Sequence, residues 1–577
     1  MKKIISLLLV VSMIISLAAV SASAVEDDFG DISFSVGSDL HFTFPEEKLE
    51  WFSDDPIYGH ANRRAAMENE SGAIIDRFLK QCADDPFTQF VLISGDLTED
   101  GKVIADEHYA MAEKLKKFEE ESGKQVYIVP GNHDVIDREE ENDTPLKRFA
   151  EIYADFGCGL ATDIDGLGVS YTADLSSKYR LIALDSTDPS RSTGDGMTDA
   201  KIKWVINEAE KAYEDGKYPV LMMHHNLLDH MPMQKIISKD FIIANATATA
   251  DKWANAGIKV VFTGHEHCSD ATTYTSTKGN LITDFATTSL TMYPLQYRHI
   301  TMLDDQIRYT AETIAEIDVD SVAAATEGYT DEQIALMKAD INAFAKEYLK
   351  AGVQYRLSLG LTDEKLGIYE DAFYYDLVRD VLDTLLDNLD IPLYGEGSIS
   401  ETAAKHGIVI PESDYKNGWD VAMNLVAAHY EGSENTPLSS KDLSIFLRIV
   451  STILKEETEV LNDTILYDAA IAIIAGVGND QSYNVLGKLS GELNGVSSIE
   501  YFALAILSPV LQSFVVDDGV DDNNGYLDGY SMNSDNYKGE NIFNSFTGTF
   551  GEIFAGLKLI LEILIKFATA WGGVPIA

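Results

Sequence analysis

Phe90-Val91-Leu92-Ile93-Ser94-Gly95-Asp96-Leu97-Thr98 opens the stretch that decides the fold. Four apolar residues in a row read as a buried strand, and Gly95 then lets the chain turn sharply. The period changes next. Glu107–Glu120 is amphipathic at helical spacing, and Val126–Val129 is a second apolar run, leading into Gly131-Asn132-His133-Asp134. Strand, helix, strand predicts an α/β layered domain, with polar residues collected beyond the carboxyl ends of the strands.

The same rhythm extends in both directions. Ile32–Val36, Tyr179–Leu184, Pro219–Met223 and Ile258–Phe262 read as further buried strands, with Ala73–Cys82 and Lys201–Tyr213 as helices between them. After about residue 320 the pattern becomes helical. Thr330 and Gln333 form a capping box before Ile334–Leu349, followed by Leu366–Leu389, Trp419–His429, Leu443–Leu454 and Tyr501–Phe514. Ten of the twelve histidines precede residue 300, which puts the chemistry in the first half. The expected division is 1–24, 25–315 and a mostly helical domain of unknown role over 316–577.

The 577 residues carry 94 acidic and 44 basic side chains, so 94 − 44 leaves a charge of −50. That excess argues against a phosphate-backbone binder, which needs clustered Lys and Arg. No nucleic-acid polymer is therefore expected as a partner. Met1-Lys2-Lys3, an apolar stretch from Ile4 to about Val20, and Ala22-Ser23-Ala24 have the three parts of a secretory signal peptide, and no cysteine offers a lipid attachment point near the cut. An extracytoplasmic protein is expected. Cys82, Cys158 and Cys268 are too few for a disulfide framework and read as buried small hydrophobes. Ile553–Trp571 reads as an oily helix striped by Lys558, Glu562 and Lys566. Each charge at mid-bilayer costs about 2.5–3.5 kcal/mol, which favours packing against the protein over stable membrane insertion. The acidic run Asp517–Gly525 fails the EF-hand template, because aligning its glycine puts Val520 at the first ligand position. It reads as a solvated loop, with non-standard calcium binding as the alternative.

Five short segments follow the apolar strands: Asp39-Leu40-His41, Gly95-Asp96, Gly131-Asn132-His133-Asp134, His224-His225-Asn226 and Gly264-His265-Glu266-His267. Each alone is weak. Together they supply what two neighbouring cations need: a carboxylate to bridge, imidazoles to terminate and an Asn carbonyl that adds no charge. Mixed imidazole and carboxylate ligation suits manganese, iron or zinc better than magnesium or calcium.

In order and identity these segments resemble the calcineurin-like metallophosphoesterases over roughly residues 31–310, and within them the bacterial class III cyclic-nucleotide phosphodiesterases. The resemblance implies a layered β-sandwich flanked by helices and two divalent or transition metal ions. It implies that Asp39, His41 and His267 hold one ion, that Asn132, His224 and His265 hold the other, and that Asp96 bridges them. His224 is preferred to His225 as the first residue of its segment, and Asn226 departs from the proline common in phosphodiesterases. His133 would face the leaving group, oriented by Glu99 or Asp100. His225 would support the ligands or face the substrate, and Asp134 would support the ligands, neither binding metal. The implied activity is hydrolysis of small phosphoesters by metal-activated hydroxide, with diesters favoured. A phosphomonoesterase, a sphingomyelinase-like lipid phosphodiesterase and a non-enzymatic binding or scaffold protein are the alternatives. Glu99 stands where a purple acid phosphatase has tyrosine, and Asp134 where a 5′-nucleotidase usually has glutamate.

Overall fold

The computed structural model describes residues 31–44, 62, 64–136, 144–162, 164, 168–190, 195–230, 234, 240–303, 306–325, 328–358, 383–433, 441–457 and 521–528. Residues 1–24, most of Leu366–Leu389, Tyr501–Phe514 and Ile553–Trp571 lie outside these.

All six expected strands form, each within two residues of its predicted ends: β1 Ile32–Gly37, β2 Phe90–Ile93, β3 Gln125–Ile128, β5 Tyr179–Ala183, β6 Tyr218–Met222 and β7 Val260–Thr263. Six more complete the sheets: β4 Tyr171–Asp174, β8 Asp270–Thr275, β9 Leu281–Ala286, β10 Gln296–Met302, β11 Gln306–Thr313 and β12 Asn524–Asp528. One sheet runs β12-β11-β10-β1-β2-β3 and the other β4-β5-β6-β7-β9-β8. Within them β1-β2-β3 and β5-β6-β7-β9 are parallel, and the remaining pairs are antiparallel.

The sheets face each other across one apolar core. Phe34 of β1 meets Phe262 of β7 edge-on at 5.6 Å between centroids and stacks on Phe90 at 4.8 Å. Burying side chains of this size contributes about 1.5–3 kcal/mol each. Successive residues of the second sheet take opposite sides. Leu181, Ala183, Val220 and Met222 enter the core between the sheets. Ile182, Leu184, Leu221 and Met223 pack on the outer helices α4 Asp199–Glu214 and α5 Ala246–Asn255. Burial on both faces is why these strands read as unbroken apolar runs. Helices α1 Ser71–Asp84, α2 Ala105–Ser122 and α3 Leu146–Ile152 lie on the side of the first sheet.

The later helices are α6 Val319–Ala325, α7 Asp331–Ala339, α8 Ile341–Ser358, α9 Ile399–Lys405, α10 Gly418–Glu431 and α11 Lys441–Glu457. The Thr330/Gln333 capping box forms with both of its hydrogen bonds. The single helix expected over Ile334–Leu349 is instead two. Asp340 is extended at φ −160°, and its carboxylate accepts the Ala343 N–H, so it ends one helix and caps the next. Leu389, Trp419, Val421, Ile445 and Ile449 form a separate helical core, yet Phe344, Tyr348 and Leu349 of α8 belong to the core of the sheets. The expected boundary at 315/316 is thus crossed by packing. It is crossed again by β12, which pairs with β11 where a solvated loop was expected. The three cysteines form no disulfide and are buried, and burial pushes the Cys82 thiol up to about 12. Among the described residues no helix is long and apolar enough to cross a membrane.

Candidate metal centre

Asp39 and His41 follow β1, Asp96 follows β2, Asn132 and His133 follow β3, His224 follows β6, and His265 and His267 follow β7. Both sheets therefore deliver their parallel strand ends to one place. The glycines are needed for close approach. A Cβ on Gly131 would stand 2.1 Å from Asp96 Oδ1, and one on Gly264 would stand 1.9 Å from Ser38 Oγ.

Each side chain has one end anchored and the other turned inward. Asp39 Oδ2 accepts from the Ser38 hydroxyl at 2.5 Å and the His265 N–H at 2.9 Å, which leaves Oδ1 facing His267 Nε2 at 3.1 Å. Asp96 Oδ1 accepts the His133 N–H at 2.8 Å, and its Oδ2 lies 3.3 Å from His224 Nε2 and 4.0 Å from His41 Nε2. His224 Nδ1 donates to the Ser94 carbonyl at 2.9 Å, so Nε2 is the nitrogen left to face the site. That Nε2 sits 3.0 Å from His265 Nδ1 and 3.2 Å from Asn132 Oδ1, and His41 Nε2 sits 3.2 Å from His267 Nε2.

These contacts cannot all be hydrogen bonds, because His224 Nε2 has at most one proton to share among Asp96 Oδ2, His265 Nδ1 and Asn132 Oδ1. They are the spacing expected of ligands around an ion, since donors about 2.1 Å from a metal stand roughly 3–3.4 Å apart. Asp39, His41 and His267 form one group, and Asp96, His224 and His265 another, each with its donor atoms within 4.8 Å. Asp39 Oδ1 and His265 Nε2 are buried without an aligned hydrogen bond. The donor set fits two N/O-ligated divalent ions, with Asp96 Oδ2 facing both groups.

The local charges fit as well. Burial works to raise Asp39 and Asp96, but the neighbouring histidines prevail, His267 over Asp39 and His224 over Asp96. Both carboxyls are held below the usual range. Burial opposes charge on His224, yet Asp96 draws it up to about 9. Two buried carboxylates here require positive charge.

His133 has a ring nitrogen within 4.8 Å of donor atoms of His41 and Asp96. Its Nδ1 lies 2.7 Å from the Glu99 carbonyl, which can only accept. Burial lowers its pKa well below the usual imidazole range, against the pull of Asp96, so the ring is neutral with the proton at Nδ1. Of the two candidate orienters, Glu99 supplies its backbone carbonyl to His133, while its carboxylate meets His41 Nδ1 at 2.8 Å. The Asp100 carbonyl accepts from Val103 and Ile104, and its N–H donates to Glu107. Asp134 takes the N–H groups of Leu97, Thr98 and Gly131, tying two of the loops together, and burial raises it to about 7. His225 turns away to Ser186 Oγ at 2.9 Å.

Sequence reasoning missed Arg64, Arg298 and Asp284. Arg64 forms an ion pair with Glu99, and Asp284 accepts the N–H groups of Leu227 and Leu228 just beyond the His224 loop. None lies in a motif segment, and only the tertiary fold brings them in.

Residues 32–269 match the model of the calcineurin-like phosphoesterase family. This part of the chain belongs to that family. It is a metal-dependent phosphoesterase domain, a hydrolase by class. Several solved structures are similar. A dimetal phosphatase from Danio rerio is 12% identical, with 48% of this chain and 95% of that chain covered at a TM-score of 0.35. An NAD nucleotidase from Haemophilus influenzae is 12% identical, covering 50% of this chain and 49% of that one at 0.29. A 5′-nucleotidase from Candida albicans is 13% identical, covering 58% and 59% at 0.28. The match over residues 32–269 carries the family assignment. No curated protein matches the chain.

Proposed function

We propose that the protein hydrolyses small phosphodiesters of the cyclic-nucleotide kind at a two-metal centre. The observation that carries the two-metal reading is the single Asp96 oxygen shared between two converging donor groups. Bound manganese, iron or zinc ions would supply Lewis-acid activation of water and neutralise the phosphoryl oxygens. Asp39, His41 and His267 would hold one ion, Asn132, His224 and His265 the other, and Asp96 both. His133, beside the donor groups and held at Nδ1 by the Glu99 carbonyl, would meet the ester. Preference for diesters rests on Asp39-x-His41 and Gly95-Asp96-Leu97-Thr98, which resemble class III phosphodiesterases. Export belongs to the same reading and rests on residues 1–24.

The test compares bis(p-nitrophenyl) phosphate with p-nitrophenyl phosphate, using manganese-loaded protein beside Asp96→Asn. Diester turnover that falls at least about 100-fold in Asp96→Asn supports the reading. Monoester preference replaces it with a phosphomonoesterase, and silence on both by protein that binds no metal removes the enzymatic reading.

A further inference from the structure

Arg64 stands on a turn outside all five motif segments. The Ala65 N–H bonds to the Asn62 carbonyl at 3.2 Å, and Ala65 itself has φ +59°, a conformation that L-residues rarely keep unless their surroundings impose it. Helix α8 does the imposing. The Asn62 amide donates to the Tyr348 carbonyl at 2.6 Å. Gly352 lies so close that a Cβ there would stand 2.5 Å from Asn62 Oδ1 and 2.7 Å from Ala65 Cα. The Tyr329 hydroxyl, just before α7, binds the Glu70 carboxylate and accepts from the Asn69 amide at 3.3 Å, so the far end of the segment is held too.

From this turn the Arg64 guanidinium meets Glu99 Oε1 and lies 3.4 Å from His133 Nδ1. Glu99 is fully buried, and its second oxygen is 2.8 Å from His41 Nδ1, off the line of a straight hydrogen bond. A buried carboxylate stripped of its countercharge is strongly destabilised and would not stay fixed beside an imidazole. The His41 ring depends on that carboxylate to keep Nδ1 outward and Nε2 toward Asp39 and His267.

We propose that Arg64 is a positioning residue for the metal centre, and that α8 holds it there. Helix α8 fixes the turn, the turn fixes Arg64, Arg64 anchors Glu99, and Glu99 orients His41. The helices beyond the family match thereby become part of the site. This rests on the two-metal reading above.

Partners of metal-ligating histidines are typically worth 10–100-fold in metal affinity. Calorimetric titration of metal-free, full-length protein with Mn²⁺ should show that loss, about 10–100-fold, in Arg64→Ala. Gly352→Ala, which pushes on the turn from α8, should lose affinity in the same direction, and Arg64→Lys should recover part of it. The thermal midpoint of the metal-free protein should change little in Arg64→Lys. A second readout needs no metal: in ¹⁵N-histidine-labelled protein, with His41 assigned through His41→Gln, the His41 Nδ1 resonance should shift in Arg64→Ala. Unchanged Mn²⁺ affinity in folded Arg64→Ala overturns the proposal. So does an unmoved His41 resonance, or equal losses in Ala and Lys variants that track a collapsed midpoint. Failure of the wild-type protein to bind Mn²⁺ sinks the two-metal reading instead, and is distinguished because the variants are not involved.

Discussion

Asp39, His41, Asp96, His265 and His267 all have positive φ, between +44° and +68°, where non-glycine residues are uncommon. Such positions cost on the order of 1–3 kcal/mol each and persist only where surrounding bonds over-determine them. Here the bonds are visible: the N–H of Asp39 goes to the Gly95 carbonyl, that of His41 to the Asp96 carbonyl, and that of His265 to Asp39 Oδ2. Strain aims short side chains inward at strand ends, and it makes neighbours non-equivalent. His224 and His225 are adjacent, yet only His224 Nε2 enters the donor group, while His225 spends Nδ1 on Ser186. His224→Ala should therefore lower bound metal from about two ions per chain to about one. His225→Ala should keep both ions and lose stability instead, since its ring is fully buried. Elemental analysis beside urea unfolding separates the two. Metal loss in His225→Ala with none in His224→Ala would reverse the assignment.

At the scale of elements, legibility followed burial. β2, β3, β6 and β7 are largely apolar because both their faces are covered, and with β1 they carry the ligands at their ends, so the candidate site could be read with them. Asp270–Thr275 and Gln306–Thr313 alternate polar and apolar residues on antiparallel pairs and gave no comparable run. The strand Asn524–Asp528 was hidden most completely, because its neighbours are acidic and its partner lies over two hundred residues away. The residues before it are bound rather than solvated. Asp522 accepts the Ala271 N–H, and the Asn523 amide donates to the Glu431 carbonyl. Arg298 completes the joint. Its buried guanidinium donates to the carbonyls of Asp522 and Ala286, and to Ser269 Oγ and the Asp270 carbonyl two and three residues beyond His267. Arg298→Met should strand several of these acceptors, at about 1–3 kcal/mol for each left dry. The expected result is at least about 3 kcal/mol lost in urea unfolding of metal-free protein. A loss below about 1 kcal/mol would mean that water replaces the guanidinium and that the carboxyl-terminal strand is no tie.

For the whole molecule, the decisive quantity is the charge of −50 around a site meant for anions. Close to Asp39 and Asp96 the proposed ions answer it. The chain as a whole is strongly acidic, so an approaching phosphoester crosses a repulsive field before it reaches the metals. The field acts on charge, hence more strongly on a dianionic monoester than on a monoanionic diester, which is the direction of the proposed preference for diesters. Raising ionic strength from about 0.01 to 0.15 M shortens the screening length from about 30 to 8 Å. With metals saturating and pH fixed, kcat/KM for p-nitrophenyl phosphate should then rise by about twofold to tenfold, and for bis(p-nitrophenyl) phosphate by distinctly less. Inert salts of different anions should act alike, because the effect is screening rather than binding. A fall in kcat/KM with salt would show the opposite: that the metals, with Arg64 and Lys102 around His133, dominate the field at the mouth, and that substrate charge attracts rather than repels.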